Sequence, residues 1–515
     1  MSDAYGSKLV DGETTALERV ATGVVGLGIV SFVLGMTSIF RWTTEQTDVL
    51  GISLFDVLAV GLLAMGVTLV GIGVASRAGL VETQPDRNAG VFTAVAFGGI
   101  GAVAAGLVVS QTLGVGAGVS LAAAVAAGAV VTVGVMLVGE DVGSTVPVGL
   151  LTAGVGALVL TGVLGPEWSW DPDAFTATFY GTIVVPALTV VCGLLCSWSA
   201  AKSAEGFGTR GRQNGAYLLI GSSAFGMLAV LAGLILFIVS RGLGPVLEGA
   251  RLTPTVEWPF VTNGFSLSPT AVTGVYPAIV GTFWVVFGAV VLAVPIGIGA
   301  AVFLSEYAEQ GRFTAVVEVA TNGLWSTPSV VFGLFGYAFL VPRLGNNTSL
   351  LAGMLVLGFM LLPLVVITSR EALLAVPDEY RDASAALGVS QWQTIRSVVV
   401  PAAMPGIATG IILGVGRIAG ETAPILLVMT GGLRDNAPSV LGSFEFTGAP
   451  PFVANDALLQ SAPALPYQLY ATITAGVSGD EAFGWGTALV LLLVVLSFYA
   501  IGIASRIYFR RKLTQ

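Results

Sequence analysis

Residues 378–401 read Asp378-Glu379-Tyr380-Arg381-Asp382-Ala383-Ser384-Ala385-Ala386-Leu387-Gly388-Val389-Ser390-Gln391-Trp392-Gln393-Thr394-Ile395-Arg396-Ser397-Val398-Val399-Val400-Pro401. This polar stretch interrupts apolar sequence on both sides. Asp378 follows Pro377 and is placed to cap a helix. Tyr380, Ala383, Ser384 and Leu387 fall at i, i+3, i+4 and i+7, so they share one helix face. That face is small and half apolar, which suits close docking into another protein's groove. Gly388 supplies a break where φ can be positive. Ser390 and Gln393 have capping-box spacing and open a second short helix. The expected object is two short helices at an angle, protruding from a membrane. The bland alternative is a connecting loop with helical turns, which does not require the whole spacing or the closing Pro401.

The chain around this stretch is that of a membrane protein. It has 515 residues, of which 55% are hydrophobic and 10% charged, and its mean hydropathy is +0.90. Soluble domains carry about a quarter charged residues, and a spanning helix needs ~20 apolar residues. Twelve segments qualify: 16–40, 50–76, 89–111, 115–139, 145–165, 178–199, 216–240, 277–304, 320–342, 348–369, 398–430 and 485–507. Strand-like alternation is missing, so the fold class is an all-α polytopic membrane protein rather than an outer-membrane barrel. Met1-Ser2-Asp3-Ala4 lacks a basic region, so no cleaved signal peptide is expected.

Lys and Arg set the orientation. With the loop around Asp382 placed in the cytoplasm, fifteen of the 21 basic residues fall inside, among them Arg77, Arg87, Lys202, Arg210, Arg212, Arg381 and Arg396. Five fall outside (Arg41, Arg241, Arg251, Arg343, Arg434) and Arg417 lies within a span. The expected location is the plasma membrane, with both termini cytoplasmic.

A polar, Gly-containing segment at 201–215 reads as a cytoplasmic connector. Residues 1–200 before it form an accessory region of about six spans, which are rich in Ala, Gly and Val and carry no charge in their middles. Residues 216–515 hold six more, with prolines at 295, 328, 363, 401, 405 and 424. Transporters tolerate such prolines where helices bend or line a cavity, although simple kinking explains any one of them.

In this second half Arg417 and Glu421 are spaced i, i+4 and can meet on one helix face. An intramembrane Arg costs about 2.5–3.5 kcal/mol on insertion scales, so it faces protein or water. It can offer its guanidinium to an oxyanion while Glu421 holds or releases it, with Thr422 beside them. The other reading is an ion pair that only fixes packing. Ser326, Thr327 and Ser329 open a span; their hydroxyls either line a path or bond to their own backbone. Cys192 and Cys196 are one turn apart and read as inert. The chain has no histidine, which excludes His-based catalysis and the usual zinc sites. It also has no P-loop pattern, so any ATPase is a separate chain. No cofactor, no metal, no enzymatic activity and no nucleic-acid partner are expected.

Asp382-Ala383-Ser384, Gly388 and Val398-x-Val400-Pro401 resemble the EAA loop of ABC importer permeases. Residues 216–515 further resemble the PstA-type permease subunit of phosphate ABC importers. The matching stretches are Gly281-Thr282-Phe283-Trp284 through Pro295-Ile296-Gly297, Ser329-Val330-Val331-Phe332-Gly333-Leu334-Phe335, and Arg417-Ile418-Ala419-Gly420-Glu421-Thr422-Ala423-Pro424. The resemblance implies a MetI-like (type I) core of six helices, coupled to the ATPase through Tyr380, Asp382, Ala383, Ser384, Leu387, Gly388 and Pro401. It implies partners: a PstC-like permease, a PstB-like ATPase dimer and a PstS-like phosphate-binding protein docking on loops 241–276 and 433–483. It also implies that Arg417 and Glu421 matter for phosphate transport. Asp382 for Glu, Ser384 for Ala, and Val398 and Val400 for Ile and Leu are mild departures. The six extra N-terminal spans are outside the family's ordinary core.

Three other readings are open. The nearest is a permease for another oxyanion, such as phosphonate, sulfate or molybdate. A different class is an ion-coupled secondary transporter or channel, which leaves the loop without a purpose, and a third is a scaffold without transport, which leaves Arg417 and Glu421 without one. The net charge of −9, with only three lysines (Lys8, Lys202, Lys512), is expected for a salt-loving source. High salt screens long-range attraction of an anion, so selection must rest on close contacts.

Overall fold

A computed structural model describes residues 15–43, 48–49, 51–112, 115–172, 177–251, 257–266, 273–309, 311–449, 452–476 and 480–514. The N-terminal residues behind the signal-peptide expectation, and parts of loops 241–276 and 433–483, lie outside them. Among the described residues, eleven helices are long and apolar enough to cross a membrane, or up to twelve if a bent pair is one span. Contacts divide the chain into two compact units, Met1–Leu234 and Ile235–Gln515.

The first unit contains α1 (Ala16–Ile39), α2 (Leu54–Arg77), α3 (Val91–Thr112), α4 (Ala117–Leu137), α5 (Glu140–Leu160), α6 (Gly181–Ala204) and the start of α7 (Gly208–Leu247). Its helices pair in a nested order, α3 with α4, α2 with α5, and α1 with α6. Two antiparallel ribbons, β1 (Asp48–Val49) with β2 (Ile52–Ser53) and β3 (Ser169–Trp170) with β4 (Phe179–Tyr180), close the α1–α2 and α5–α6 connections. Small residues make the pairing possible: a Cβ on Gly66 would sit 2.5 Å from the Gly149 carbonyl oxygen.

Residues 201–215, expected as a polar cytoplasmic connector, are mostly helical. α6 runs through Ala204 and α7 starts at Gly208, so only Glu205–Phe207 intervene, and Phe207 is buried. Charge enters this unit at helix ends, outside the expected spans, where α5 begins at Glu140 and α6 reaches past Lys202. Glu140 Oε1 lies 3.1 Å from Lys202 Nζ with both side chains buried. Its Oε2 accepts from the backbone N–H of Gly208 (3.0 Å) and of Asp86 (3.2 Å), and Lys202 donates to Ser144 Oγ (2.8 Å). Arg212 joins through Asp86. This cluster folds the turn down onto the helix ends. Glu140→Ala leaves Lys202 buried without its counter-charge and is expected to cost about 3–5 kcal/mol. The midpoint of thermal unfolding in detergent checks this, and an unchanged midpoint would mean that the pair does not hold the unit together.

The second unit comprises the rest of α7, then α8 (Pro259–Thr262), α9 (Tyr276–Val302), α10 (Arg312–Ser326), α11 (Ser329–Phe335), α12 (Leu350–Leu374), α13 (Asp378–Ala386), α14 (Gln391–Thr394), α15 (Val400–Ala419), α16 (Ala423–Val428), α17 (Asp456–Leu459), α18 (Leu465–Leu469) and α19 (Glu481–Thr514). A hairpin of β5 (Phe444–Phe446) and β6 (Val453–Asn455) follows α16. α9 packs along α12, α12 along α15, and α15 along α19. Val285, Ala289, Leu357, Leu361, Ile418 and Ile425 belong to one buried cluster.

Two expected spans are broken. The segment at 320–342 bends by 99° between Arg312–Ser326 and Ser329–Leu344. The segment at 398–430 ends as a helix at Ala419 and restarts at Ala423. The prolines explain where. Pro328 precedes α11 and Pro424 opens α16, where a missing N–H costs nothing, whereas Pro295, Pro363 and Pro405 lie inside continuous helices.

Candidate functional site

The corner at 378–401 is built as local chemistry dictates. Pro377 occupies the N-cap of α13, and Asp378 is the first helical residue rather than the cap. Gly388 has φ +72°, and its N–H donates to the Ala385 carbonyl at 2.9 Å. Ser390 then caps α14 with the full capping box, Gln393 reaching back to the Ser390 backbone. A π-helical turn, Ile395–Val399, joins α14 to α15, with Pro401 in the first turn of α15. Tyr380, Asp382, Ala383 and Leu387 are exposed, Leu387 to 83%. Ser384 turns inward instead and donates to the Tyr380 carbonyl at 2.9 Å. Trp392, 57% exposed on α14, adds an apolar surface that the spacing of the α13 face did not reveal.

Arg381 fastens this corner. Nε and NH2 of its guanidinium donate to Glu306 Oε2 (3.2 Å) and Oε1 (2.7 Å). The remaining donors reach the Val376 carbonyl (2.8 Å), Asp378 Oδ1 (3.2 Å) and the Leu373 carbonyl (3.1 Å). All five N–H groups of the fork are engaged. The hydrogen bonds to Glu306 raise the Arg381 pKa above its ordinary value, against the opposing effect of burial.

Arg417 lies in the last turn of α15, immediately before the break at Gly420. Its Nε is 3.7 Å from Glu421 Oε1, with the Arg side chain 39% and the Glu side chain 18% exposed. That separation makes a Coulombic pair, too long for a hydrogen bond. The guanidinium carbon stands 4.2 Å from the ring centroid of Trp325, a cation–π contact. Trp325 comes from the end of α10, beside the 99° bend. Beyond the bends α11 packs against α16, and a Cβ on Gly333 would lie 2.9 Å from the Pro424 Cα. Two helix breaks therefore meet at Arg417, with a charge over an aromatic face and a carboxylate alongside.

Ser326 and Thr327 donate to the Gly323 carbonyl at 3.0 and 2.8 Å, which is the backbone-bonding alternative. Ser329 opens α11 and Thr422 holds the N-cap position of α16 without a side-chain cap bond. Trp325 and Glu306 had no sequence signal, since each meets its partner from a distant segment. Arg370 is similar: it reaches Glu318 on α10 at 2.7 Å.

The family described as binding-protein-dependent transport system inner membrane component matches residues 293–515. Phosphate transport system permease protein PstA 1 of Mycobacterium tuberculosis is 37% identical over 222 residues, covering 43% of this chain and 67% of that protein. Phosphate transport system permease protein PstA of Haemophilus influenzae is 32% identical over 245 residues, 48% of this chain and 79% of its own length. The probable ABC transporter permease protein YqgI of Bacillus subtilis is 31% identical over 283 residues, 54% of this chain and 90% of its own length. The identity with these relatives, two of which are covered over more than three-quarters of their length, means that this chain belongs to the binding-protein-dependent ABC importer permeases, in the PstA-type group.

Proposed function

We propose that this chain is the transmembrane subunit of an ATP-driven phosphate importer. It forms the translocation path with a second, PstC-like permease. Residues 216–515 act as the permease core, and 1–200 as an accessory membrane region. A PstB-like ATPase dimer docks on the exposed face of α13 and α14, and a PstS-like binding protein delivers phosphate from the other side. The corner and both termini then face the cytoplasm.

One observation carries this reading. A single helical stretch of 29 residues, Gln391–Ala419, has the corner at one end and Arg417 at the other. At 1.5 Å per residue it spans about 40 Å. A push on the corner therefore moves the guanidinium beside the two helix breaks, opening the path alternately to each side. Arg417 offers a planar, permanently charged fork to an oxyanion, and Glu421 competes for it.

Reconstitution of the four components in vesicles tests this. The expected outcome is uptake of radiolabelled phosphate that requires ATP and the ATPase, and that resists excess sulfate, molybdate and phosphonate. Uptake driven by an ion gradient without the ATPase would replace the reading with a secondary transporter. Block by another oxyanion at lower concentration would reassign the substrate.

A further inference from the structure

We propose that Glu306 is the joint through which the α13–α14 corner drives α9, so that the corner moves two helices of the core rather than one. Glu306 lies in the π-helical turn Phe303–Tyr307 that ends α9. Its side chain is 7% exposed. The carboxylate takes the two-pronged Arg381 fork from α13. Its backbone carbonyl accepts from Gln391 Nε2 of α14 at 2.7 Å. One residue thus holds both limbs of the corner, on either side of the Gly388 turn. Arg381 also grips the Leu373 and Val376 carbonyls, which locks the end of α12 to the same point.

Beneath the joint the packing is apolar and dense. Ala301 and Val302 of α9 share a buried cluster with Leu373, Val376, Ile395 and Val399. Further along α9, Val285 and Ala289 share another with Ile418 and Ala419, the residues next to Arg417. Close-packed interiors transmit displacement rather than absorbing it. α9 therefore links the corner to the neighbourhood of Arg417 by a second route, parallel to the Gln391–Ala419 helix. Bidentate geometry suits such a joint, because a planar fork resists rotation where a single contact swivels.

Glu306 is a positioning residue in this scheme, and its role rests on the proposed function above. The test uses the whole reconstituted complex, with phosphate uptake and ATP hydrolysis read in the same vesicles. Glu306→Gln removes the charge but keeps the carbonyl for Gln391. Arg381→Gln removes the fork. Phosphate moved per ATP hydrolysed is expected to fall about tenfold in each single variant. If uptake and hydrolysis fall together at a constant ratio, the proposal is overturned, since a packing role alone changes the amount of working complex and not its ratio. Where the single variants fail to assemble, Gln391→Leu decides. It loses only the bond to the Glu306 carbonyl, so a drop of about threefold in the ratio supports the joint and an unchanged ratio overturns it. Wild-type vesicles separate the two levels of the argument. If they take up no phosphate, the proposed function fails. If they do and the variant ratios stay at the wild-type value, only the joint fails.

Discussion

Arg417→Gln is expected to lower phosphate uptake about a hundredfold at matched membrane expression, because charge-assisted hydrogen bonds to an oxyanion contribute roughly 3 kcal/mol together. The substitution removes the charge and the guanidinium fork and leaves a shorter, neutral amide. It also leaves Glu421, with its side chain only 18% exposed, without the cation 3.7 Å away. Two companion variants separate transport from packing. Arg417→Gln with Glu421→Gln restores neutrality. A purely structural pair then regains uptake, whereas a guanidinium that meets the anion leaves uptake low. Trp325→Leu keeps the charge and removes the aromatic face at 4.2 Å, so a smaller loss of about tenfold or less is expected from one cation–π contact. Uptake of radiolabelled phosphate, together with recovery of the intact complex, is the measurement. Wild-type uptake in Arg417→Gln would make the pair structural and leave substrate choice to the binding protein.

Gly388→Pro is expected to abolish coupling, with uptake falling a hundredfold or more. Pro holds φ near about −65°, and the backbone here requires +72°. The same change deletes the N–H that donates to the Ala385 carbonyl at 2.9 Å. Two local costs of roughly 3 kcal/mol or more in total rebuild the corner. A Cβ at this position meets nothing within 4 Å, so for a single added Cβ the cost is one of backbone conformation. Gly388→Ala then provides a graded control. A left-handed alanine costs about 1–2 kcal/mol, and an intermediate loss of about tenfold is expected. Phosphate-stimulated ATP hydrolysis in vesicles is the readout. Stimulation at the wild-type level in Gly388→Pro would count against the corner as the lever.

The corner was readable because its signals are short-range. Ser390 finds Gln393 three residues on, and Gly388 takes the left-handed turn on which its neighbours close. The i, i+4 pairing of Arg417 with Glu421 was readable for the same reason. Hydropathy located the spans, because each needs about 20 apolar residues whatever it packs against. It missed the breaks at 327–328 and 420–422, because hydropathy averaged over about 20 residues is not lowered enough by Thr327 and Pro328, or by Gly420, Glu421 and Thr422, to interrupt a span. Ser384 was placed on the exposed face by periodicity, yet its hydroxyl closes onto the Tyr380 carbonyl and the residue is buried. Periodicity says which residues share a face and not how that face is turned.

The sequence by itself determined that this is a polytopic helical membrane protein of the ABC importer permease type, where its polar corner lies, and where an intramembrane Arg and Glu sit together. Those conclusions rest on composition and on contacts within about four residues. Only the tertiary structure decided that Glu306 holds Arg381 and Gln391, that Trp325 lies against Arg417, that Glu140 and Lys202 are buried together, and that two broken helices meet at their bends. Each joins segments that are far apart along the chain, and a side chain's partner at that range is chosen by packing, which no local pattern of residues encodes.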